Sequence, residues 1–96
     1  MYESKVKGPD TDSLFRAILT LENLEDCYRF FDDICTINEI KSMAQRLEVA
    51  RMLKKGETFN TIAEETGAST ATISRANRCL KYGADGYNTV LARMGE

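Results

Sequence analysis

Apolar residues recur at helical spacing along nearly the whole chain after its first ten residues. No alternating strand pattern, internal repeat or low-complexity segment interrupts them. The pattern predicts an all-α protein of six helices in a single domain, residues 1–96. Its segments are an N-terminal pair at 10–35, a central helix at 37–55, two short helices within 58–81, and a C-terminal helix at 85–94.

The central helix has the clearest boundary signals. Thr36 and Glu39 match a capping box, in which the two side chains satisfy each other's exposed backbone N–H groups. Lys54, Lys55 and Gly56 then end the helix, because cations suit a helix C-terminus and glycine suits the left-handed residue after it. The other expected N-caps are Asp10 or Thr11, Thr58, Ser69 and Asp85.

Residues 58–80 contain two short helix patterns joined by a turn at Gly67. Ala63 lies four residues before this glycine, and Ile73 lies six residues after it. A helix-turn-helix needs a small residue where its helices cross, a glycine that accepts positive φ, and a branched apolar residue on the second helix. The spacing therefore predicts a helix-turn-helix whose second helix, about residues 70–81, can lie in a DNA major groove.

The second helix of this pair has two faces. The residues expected to face inward are Ile73, Ala76, Asn77 and Leu80, with Ala76 or Cys79 at the crowded rear. Short hydroxyl and methyl side chains suit base edges, and the residues of this kind that follow the Ser69 cap are Thr70, Ala71 and Ser74. Ser69 itself is also predicted to contact DNA. The residues placed for phosphates, for a ligand or for both are Thr72, Arg75, Arg78 and Lys81.

The net charge of −2 hides an uneven distribution. Residues 1–40 carry a net charge of −5, and residues 41–82 carry +4. The basic half contains the helix-turn-helix, and its central helix presents Lys41, Arg46, Arg51 and Lys55. This asymmetry suits DNA binding on one side, although a salt-bridged helical surface with chance asymmetry is the alternative.

Several classes of protein are excluded by composition. The chain has no histidine, no glycine-rich phosphate loop and no nucleophile beside a base, so we expect neither an enzyme nor a metal site. Three cysteines without CxxC spacing, Cys27, Cys35 and Cys79, are expected to be reduced and buried as small apolar residues. No apolar run approaches the roughly 20 residues of a membrane span, and the N-terminus is not a signal peptide, so a cytoplasmic location is expected.

The wide apolar faces of these short helices indicate association. Large exposed apolar surfaces usually mark binding sites, so we expect a homodimer formed through the N-terminal pair and the last helix. A compact six-helix monomer is the alternative. Two other functions also stay open: a helical protein-interaction adaptor with an acidic front half, and a DNA-binding module in replication, recombination or nucleoid structure.

The segment GASTATISRANRCLK, residues 67–81, closely resembles the DNA-reading segment of the Trp repressor family, and TINEIKSMAQRLEVARMLKKGET, residues 36–58, extends the match. Within that family the chain looks most like the YerC/YecD group. The resemblance implies an interlocked homodimer that binds a two-fold symmetric operator in double-stranded DNA and is gated by a small ligand. The docking geometry is the one for which Trp repressor is itself a standard example.

The resemblance also assigns residues. It implies DNA contacts at Lys55, Gly56, Thr70, Ala71, Thr72 and Ser74, and a ligand pocket with Thr36, Arg46 and Arg75. Ala76 stands where the Trp repressor has a glycine beneath the indole ring, and Cys79 replaces a serine that holds the polar head of the amino acid. Both changes disfavour tryptophan: the added methyl group crowds the flat ring, and the lost hydroxyl removes a hydrogen-bond acceptor from a site that rejects mismatched ligands. We therefore expect a different co-repressor or none.

Overall fold

The computed structural model describes residues 2–96. It contains α1 (Pro9–Ile18), α2 (Leu24–Ile34), α3 (Ile37–Lys54), α4 (Phe59–Thr66), α5 (Thr70–Tyr82) and α6 (Gly86–Arg93). No β-strand occurs in the described chain, so the all-α fold of six helices is confirmed. The chain folds as two compact units, Met1–Ile37 and Asn38–Glu96.

The first helix begins earlier than its sequence pattern predicts. Pro9 is its first residue and Gly8 precedes it without a side-chain cap. The expected caps Asp10 and Thr11 are therefore wrong, because both residues already lie within the first turn of α1. Proline suits this position, since the first helical residue has no intrahelical partner for an N–H and needs a φ near the fixed value of proline.

The start of α2 is held by a reciprocal pair of side chains. Asn23 Oδ1 accepts a hydrogen bond from the backbone N of Asp26 at 2.8 Å, and Asp26 Oδ2 accepts one from the backbone N of Glu22 at 3.1 Å. Two N–H groups that the helix leaves without partners are thereby satisfied. Further along α2, the rings of Phe30 and Phe31 pack edge to face with their centroids 5.6 Å apart.

Neither α1 nor α2 contains a buried residue. Several of their large apolar side chains are more than half exposed: Phe15, Leu24 and Tyr28, together with Leu19 directly after α1. The N-terminal unit therefore presents much of the apolar surface that a globular protein ordinarily buries.

The second unit holds all of the buried apolar residues in the described chain. They are Val49, Ala50, Met52, Ile62, Ala68, Ile73, Ala76 and Leu91. Ile62, Ile73, Leu91 and Val49 are at most 1% exposed. The core thus joins α3, α4 and α5, and Leu91 adds α6 to the buried part of this unit.

The end of α3 follows the sequence prediction. Gly56 has a φ of +86°, its N–H donates to the carbonyl of Leu53 at 3.0 Å, and the N–H of Glu57 donates to the carbonyl of Met52 at 3.1 Å. These two bonds form a Schellman motif, which satisfies carbonyl groups in the last turn of the helix.

The start of α6 differs in one respect from the prediction. Asp85 occupies the N-cap position, but its backbone is left-handed at φ 69° and its side chain caps no backbone N–H. Its carboxylate accepts instead from the Asn88 amide at 2.9 Å. The same amide donates to the carbonyl of Leu80 at 3.0 Å, and Lys54 Nζ donates to Asn88 Oδ1 at 2.9 Å. Asn88 therefore connects α6 to α5 and α3.

Arg51 forms ion pairs within the protein and does not belong to an exposed basic surface. Its guanidinium pairs with Glu48, and its Nε lies 3.1 Å from Glu96 Oε2 without the alignment of a hydrogen bond. The side chain of Arg51 is only 20% exposed. Arg51 therefore differs from the expected row of presented cations on α3, because it is mostly buried and lies beside two carboxylates.

Candidate nucleic-acid interface

The turn between α4 and α5 has the geometry that its sequence predicts. Gly67 is left-handed with a φ of 72°, and its N–H donates to the carbonyl of Ala63 at 2.9 Å. Thr66 strengthens the turn, because its hydroxyl donates to the Ile62 carbonyl at 2.6 Å and accepts from the N–H of Ala68 at 3.1 Å. Glycine is favoured here since other residues resist this backbone conformation.

Both helices of the pair begin at hydroxyl caps. Thr58 Oγ1 accepts from the backbone N of Thr61 at 3.1 Å, and Ser69 Oγ accepts from the backbone N of Thr72 at 3.1 Å. These contacts confirm the two caps expected from the sequence. They leave the start of α5 well defined, which matters because its first turn carries the residues predicted to meet DNA.

The fifth helix packs by one face and exposes the other. Ile73 is 1% exposed and Ala76 is 3% exposed, while Asn77 and Leu80 are half-buried. The exposed residues of its first two turns are Thr70, Ala71, Ser74 and Arg75. Ser69 before the helix and Arg78 further along it are also exposed, whereas Thr72 is half-buried. The inward and outward faces thus agree with the sequence-based assignment.

No carboxylate of the described residues forms an ion pair with the cations of α5. Among the ion pairs of residues 2–96, none involves Arg75, Arg78 or Lys81. Lys55 and Gly56 are also exposed, at the Schellman turn that ends α3. Exposed cations without carboxylate partners are the groups that neutralise DNA phosphates.

A cavity of about 400 Å³ lies beside α5 within the second unit. It brings together four of the five residues proposed for ligand binding, namely Arg46, Arg75, Ala76 and Cys79. The fifth, Thr36, belongs to the first unit and directly precedes α3, so its role stays a prediction. Thr72, expected to contact DNA, also lines the cavity.

Three residues of this cavity were missed by the sequence analysis. Ser42 lies on α3 one helical turn before Arg46, and this i, i+4 spacing was a usable signal. Gln45 directly precedes Arg46, and adjacent helical residues point to different faces, so its spacing gave no signal. Tyr87 reaches the cavity from α6, and nothing in its local sequence indicates this. Gln45 is also structural, because its Nε2 donates to the Thr66 carbonyl at 3.0 Å.

The cysteines form neither disulfides nor a metal site in the described chain. Cys27, Cys35 and Cys79 are all free thiols, as expected. Each is half-buried, so the expectation of fully buried thiols is wrong. Residues 2–96 contain no group of three acidic or thiol side chains arranged to hold a metal ion.

These features define a class of protein: an all-helical protein built around a helix-turn-helix. Comparison with known proteins identifies the group within that class. The chain belongs to the Trp repressor family, because the family model described as Trp repressor protein matches residues 10–95. This result confirms the resemblance seen in the sequence.

Individual relatives agree with this assignment. The protein YerC of Bacillus subtilis (strain 168) is 62% identical over 96 residues, which cover 100% of this chain and 92% of that protein. A crystal structure of a candidate Trp repressor from Staphylococcus aureus has a TM-score of 0.91 and 59% identity, covering 95% of this chain and 91% of that chain. A TrpR-like protein from Eubacterium eligens ATCC 27750 also has a TM-score of 0.91, with 57% identity, covering 95% of this chain and 94% of that chain.

None of the described helices is both long and apolar enough to cross a membrane.

Proposed function

We propose that this protein is a transcriptional repressor that recognises a palindromic operator as a homodimer. The observation that carries the proposal is the two-sided character of α5. Ile73 and Ala76 fix the helix in the core, while its leading residues and its unpaired cations stay exposed. A helix of this kind can enter a major groove without leaving its own domain.

Direct contacts with bases fall to short side chains. Thr70, Ala71 and Ser74 are exposed at the leading end of α5, where a reading helix approaches base edges. Their hydroxyl and methyl groups give weaker discrimination than an arginine on guanine, so water-mediated contacts and DNA deformation contribute to the selectivity. Arg78 binds phosphates, with Lys55 at the neighbouring turn, and Arg75 binds a phosphate, the ligand or both.

Dimer formation is supported by the exposed apolar surface of the N-terminal unit. Its helices contain no buried residue, and their large apolar side chains Phe15, Leu24 and Tyr28 are more than half exposed. Monomeric proteins seldom expose so many large apolar side chains together. A second copy of the chain supplies a matching apolar surface. Two-fold symmetry then places one copy of α5, the reading helix, in each half of a palindromic operator.

Ligand gating is supported by the position of the cavity. Arg46 of α3 and Arg75 of α5 line it together, so a molecule bound there contacts the reading helix directly. Tryptophan is a poor candidate for this site. Ala76 adds a methyl group to the cavity wall, and the thiol of Cys79 is a weaker hydrogen-bond partner than a hydroxyl.

The DNA-binding proposal is tested by selecting bound fragments from random duplex DNA and measuring the affinity of the enriched sequence by fluorescence anisotropy. The enriched sites should be palindromic, and affinity should fall steeply with salt while the sequence preference persists. Arg75→Ala should abolish detectable specific binding. The matched control is Arg29→Ala, which removes the same charge from exposed α2 and should change affinity by less than about twofold. Equal losses in both variants contradict a specific role for α5.

The homodimer is tested by light scattering on the purified protein across a range of concentrations. We expect twice the 10.8 kDa mass of the chain. A monomer that nevertheless binds a palindrome rejects the dimer. L-tryptophan is tested separately by calorimetry, where we expect no micromolar binding; micromolar binding that tightens operator affinity overturns the assignment of a different ligand.

A further inference from the structure

A second, apolar cavity of about 440 Å³ adjoins the site described above. Leu47 of α3 and Val90 of α6 line it, together with Ala84 and Gly86 near the start of α6. Cys79 and Tyr87 line both cavities. The two cavities therefore share two lining residues and lie next to each other within the second unit.

The two cavities, taken as two halves of one cleft, differ in chemistry. The half at α5 contains the guanidinium groups of Arg46 and Arg75, beside the polar side chains of Ser42, Gln45 and Thr72. The half at α6 is lined by small and aliphatic residues apart from Tyr87 and Cys79. No aspartate or glutamate lines either half. A cleft with two cations and no carboxylate favours an anion at one end and excludes water from an apolar group at the other.

We propose that the effector of this protein is a small amphipathic anion. Its acidic head, a carboxylate or a phosphate, binds between Arg46 and Arg75, and its apolar tail lies against Leu47 and Val90. The inference rests on the proposed function, since the ligand occupies the site that gates DNA binding. It also makes that function more specific. The proposed ligand has no ammonium group, unlike an amino acid, and so needs no protein group to pair with one.

The geometry also explains why a tail contributes to regulation. A head group alone contacts α3 and α5, through Arg46 and Arg75. A tail that passes Tyr87 to reach Val90 contacts α6 as well, and Asn88 of α6 already donates to the α5 carbonyl of Leu80. The whole ligand thus contacts three helices of the second unit, α3, α5 and α6.

Calorimetry with two simple probes tests the proposal. Hexyl phosphate and inorganic phosphate share a head group, and only the first carries a tail. Each fully buried methylene raises affinity about fourfold, so partial burial of the tail should make hexyl phosphate bind at least tenfold more tightly. Heptanoate and acetate form the same comparison for a carboxylate head. Equal affinities within either pair overturn the apolar half of the proposal for that head.

Three variants assign the head and the tail to their cavities. Arg46→Gln should weaken both hexyl phosphate and inorganic phosphate, whereas non-specific uptake of a detergent-like molecule would be unaffected. Val90→Thr keeps the side-chain shape and replaces one methyl group with a hydroxyl, so it should weaken only hexyl phosphate, by about threefold to fivefold. Ala84→Ser, at another lining position of the apolar cavity, should act in the same direction. Val6→Thr is the control, because Val6 is 63% exposed and lies outside both cavities.

The outcomes separate this inference from the DNA-binding proposal. If hexyl phosphate shows no tail preference while the palindrome is still bound, the amphipathic ligand is rejected and the regulator stands. If the variants behave as expected but hexyl phosphate leaves operator affinity unchanged, the ligand class is supported and the gating role is rejected. If Arg46→Gln binds both probes like the unsubstituted protein, the head-group assignment is rejected.

Discussion

Ser69 has two roles that substitution can separate. Its hydroxyl caps α5 by accepting from the N–H of Thr72 at 3.1 Å, and it is an exposed residue predicted to contact DNA. Ser69→Ala removes the cap and should cost about 1 kcal/mol of unfolding free energy. For a domain of this size that loss lowers the Tm by roughly 4–8 °C. Ser69→Asp retains an acceptor and adds a negative charge at the positive end of the helix, so stability should be equal or higher by about 0.3–1 kcal/mol.

The effect of Ser69→Asp on DNA affinity has the opposite sign. A carboxylate about 7 Å from one phosphate is repelled by about 0.6 kcal/mol in water. Two phosphates near each of two reading helices give about 2.4 kcal/mol before screening. At physiological salt a Debye length of about 8 Å reduces this repulsion to about 1 kcal/mol, or roughly a fivefold loss of affinity. The variant should therefore be at least as stable as the original protein and bind the operator more weakly.

Urea denaturation followed by circular dichroism measures the stability, and fluorescence anisotropy on the selected operator measures the affinity. Asn23 provides the matched control, because its side chain caps α2 in the acidic N-terminal unit. Asn23→Asp adds the same charge at the same kind of position and should leave DNA affinity within about twofold. If Ser69→Asp binds DNA as tightly as Asn23→Asp, residue 69 does not face the phosphates. If Ser69→Asp is destabilised as much as Ser69→Ala, the capping argument is wrong.

Three further predictions concern the turn, the reading face and the cavity. Gly67→Ala should lower the free energy of unfolding, measured by urea denaturation, by about 1–2 kcal/mol, because residue 67 has a positive φ. Gly86→Ala is the control and should be neutral or stabilising, since an added Cβ there meets nothing within 4 Å. Equal effects of the two variants contradict the turn argument. Ser74→Ala should relax sequence choice by about 1–3 kcal/mol at one base pair, measured by repeating the selection, and an unchanged consensus would show that Ser74 reads no base. Gln45→Ala should cost about 1 kcal/mol of stability, because it removes the donor to the Thr66 carbonyl, and a neutral result means that water replaces the amide.

The fold was predictable where it depends on local chemistry. The Gly67 turn and the caps at Thr58 and Ser69 each depend on residues within four positions, so a single sequence contains the whole signal. The errors also have local causes. Asp10 has a side chain that suits a cap, but the fixed φ of Pro9 starts the helix without a side-chain cap.

The candidate site was only partly predictable for a different reason. Resemblance to the family identified Arg46 and Arg75, because a motif retains spacing along the chain. Tyr87 could not be found in this way, since it lies on another helix and meets the cavity only after α6 packs through Leu91. Similarly, nothing near Arg51 in sequence indicates that Glu96, 45 positions later, lies beside it.

A net charge of −2 is compatible with DNA binding because the charges act at short range. At physiological salt the Debye length is about 8 Å, so exposed charges further than this from the DNA are largely screened. Arg75 and Arg78 have no ion-pair partner in the described chain, whereas Arg51 is neutralised by its carboxylates. An unpaired cation that binds a phosphate displaces counterions from the DNA. The salt dependence of binding should therefore be set by the exposed cations of α5 and of the turn after α3. Net charge therefore argues neither for nor against DNA as a partner, and the exposed cations of the reading helix decide the question.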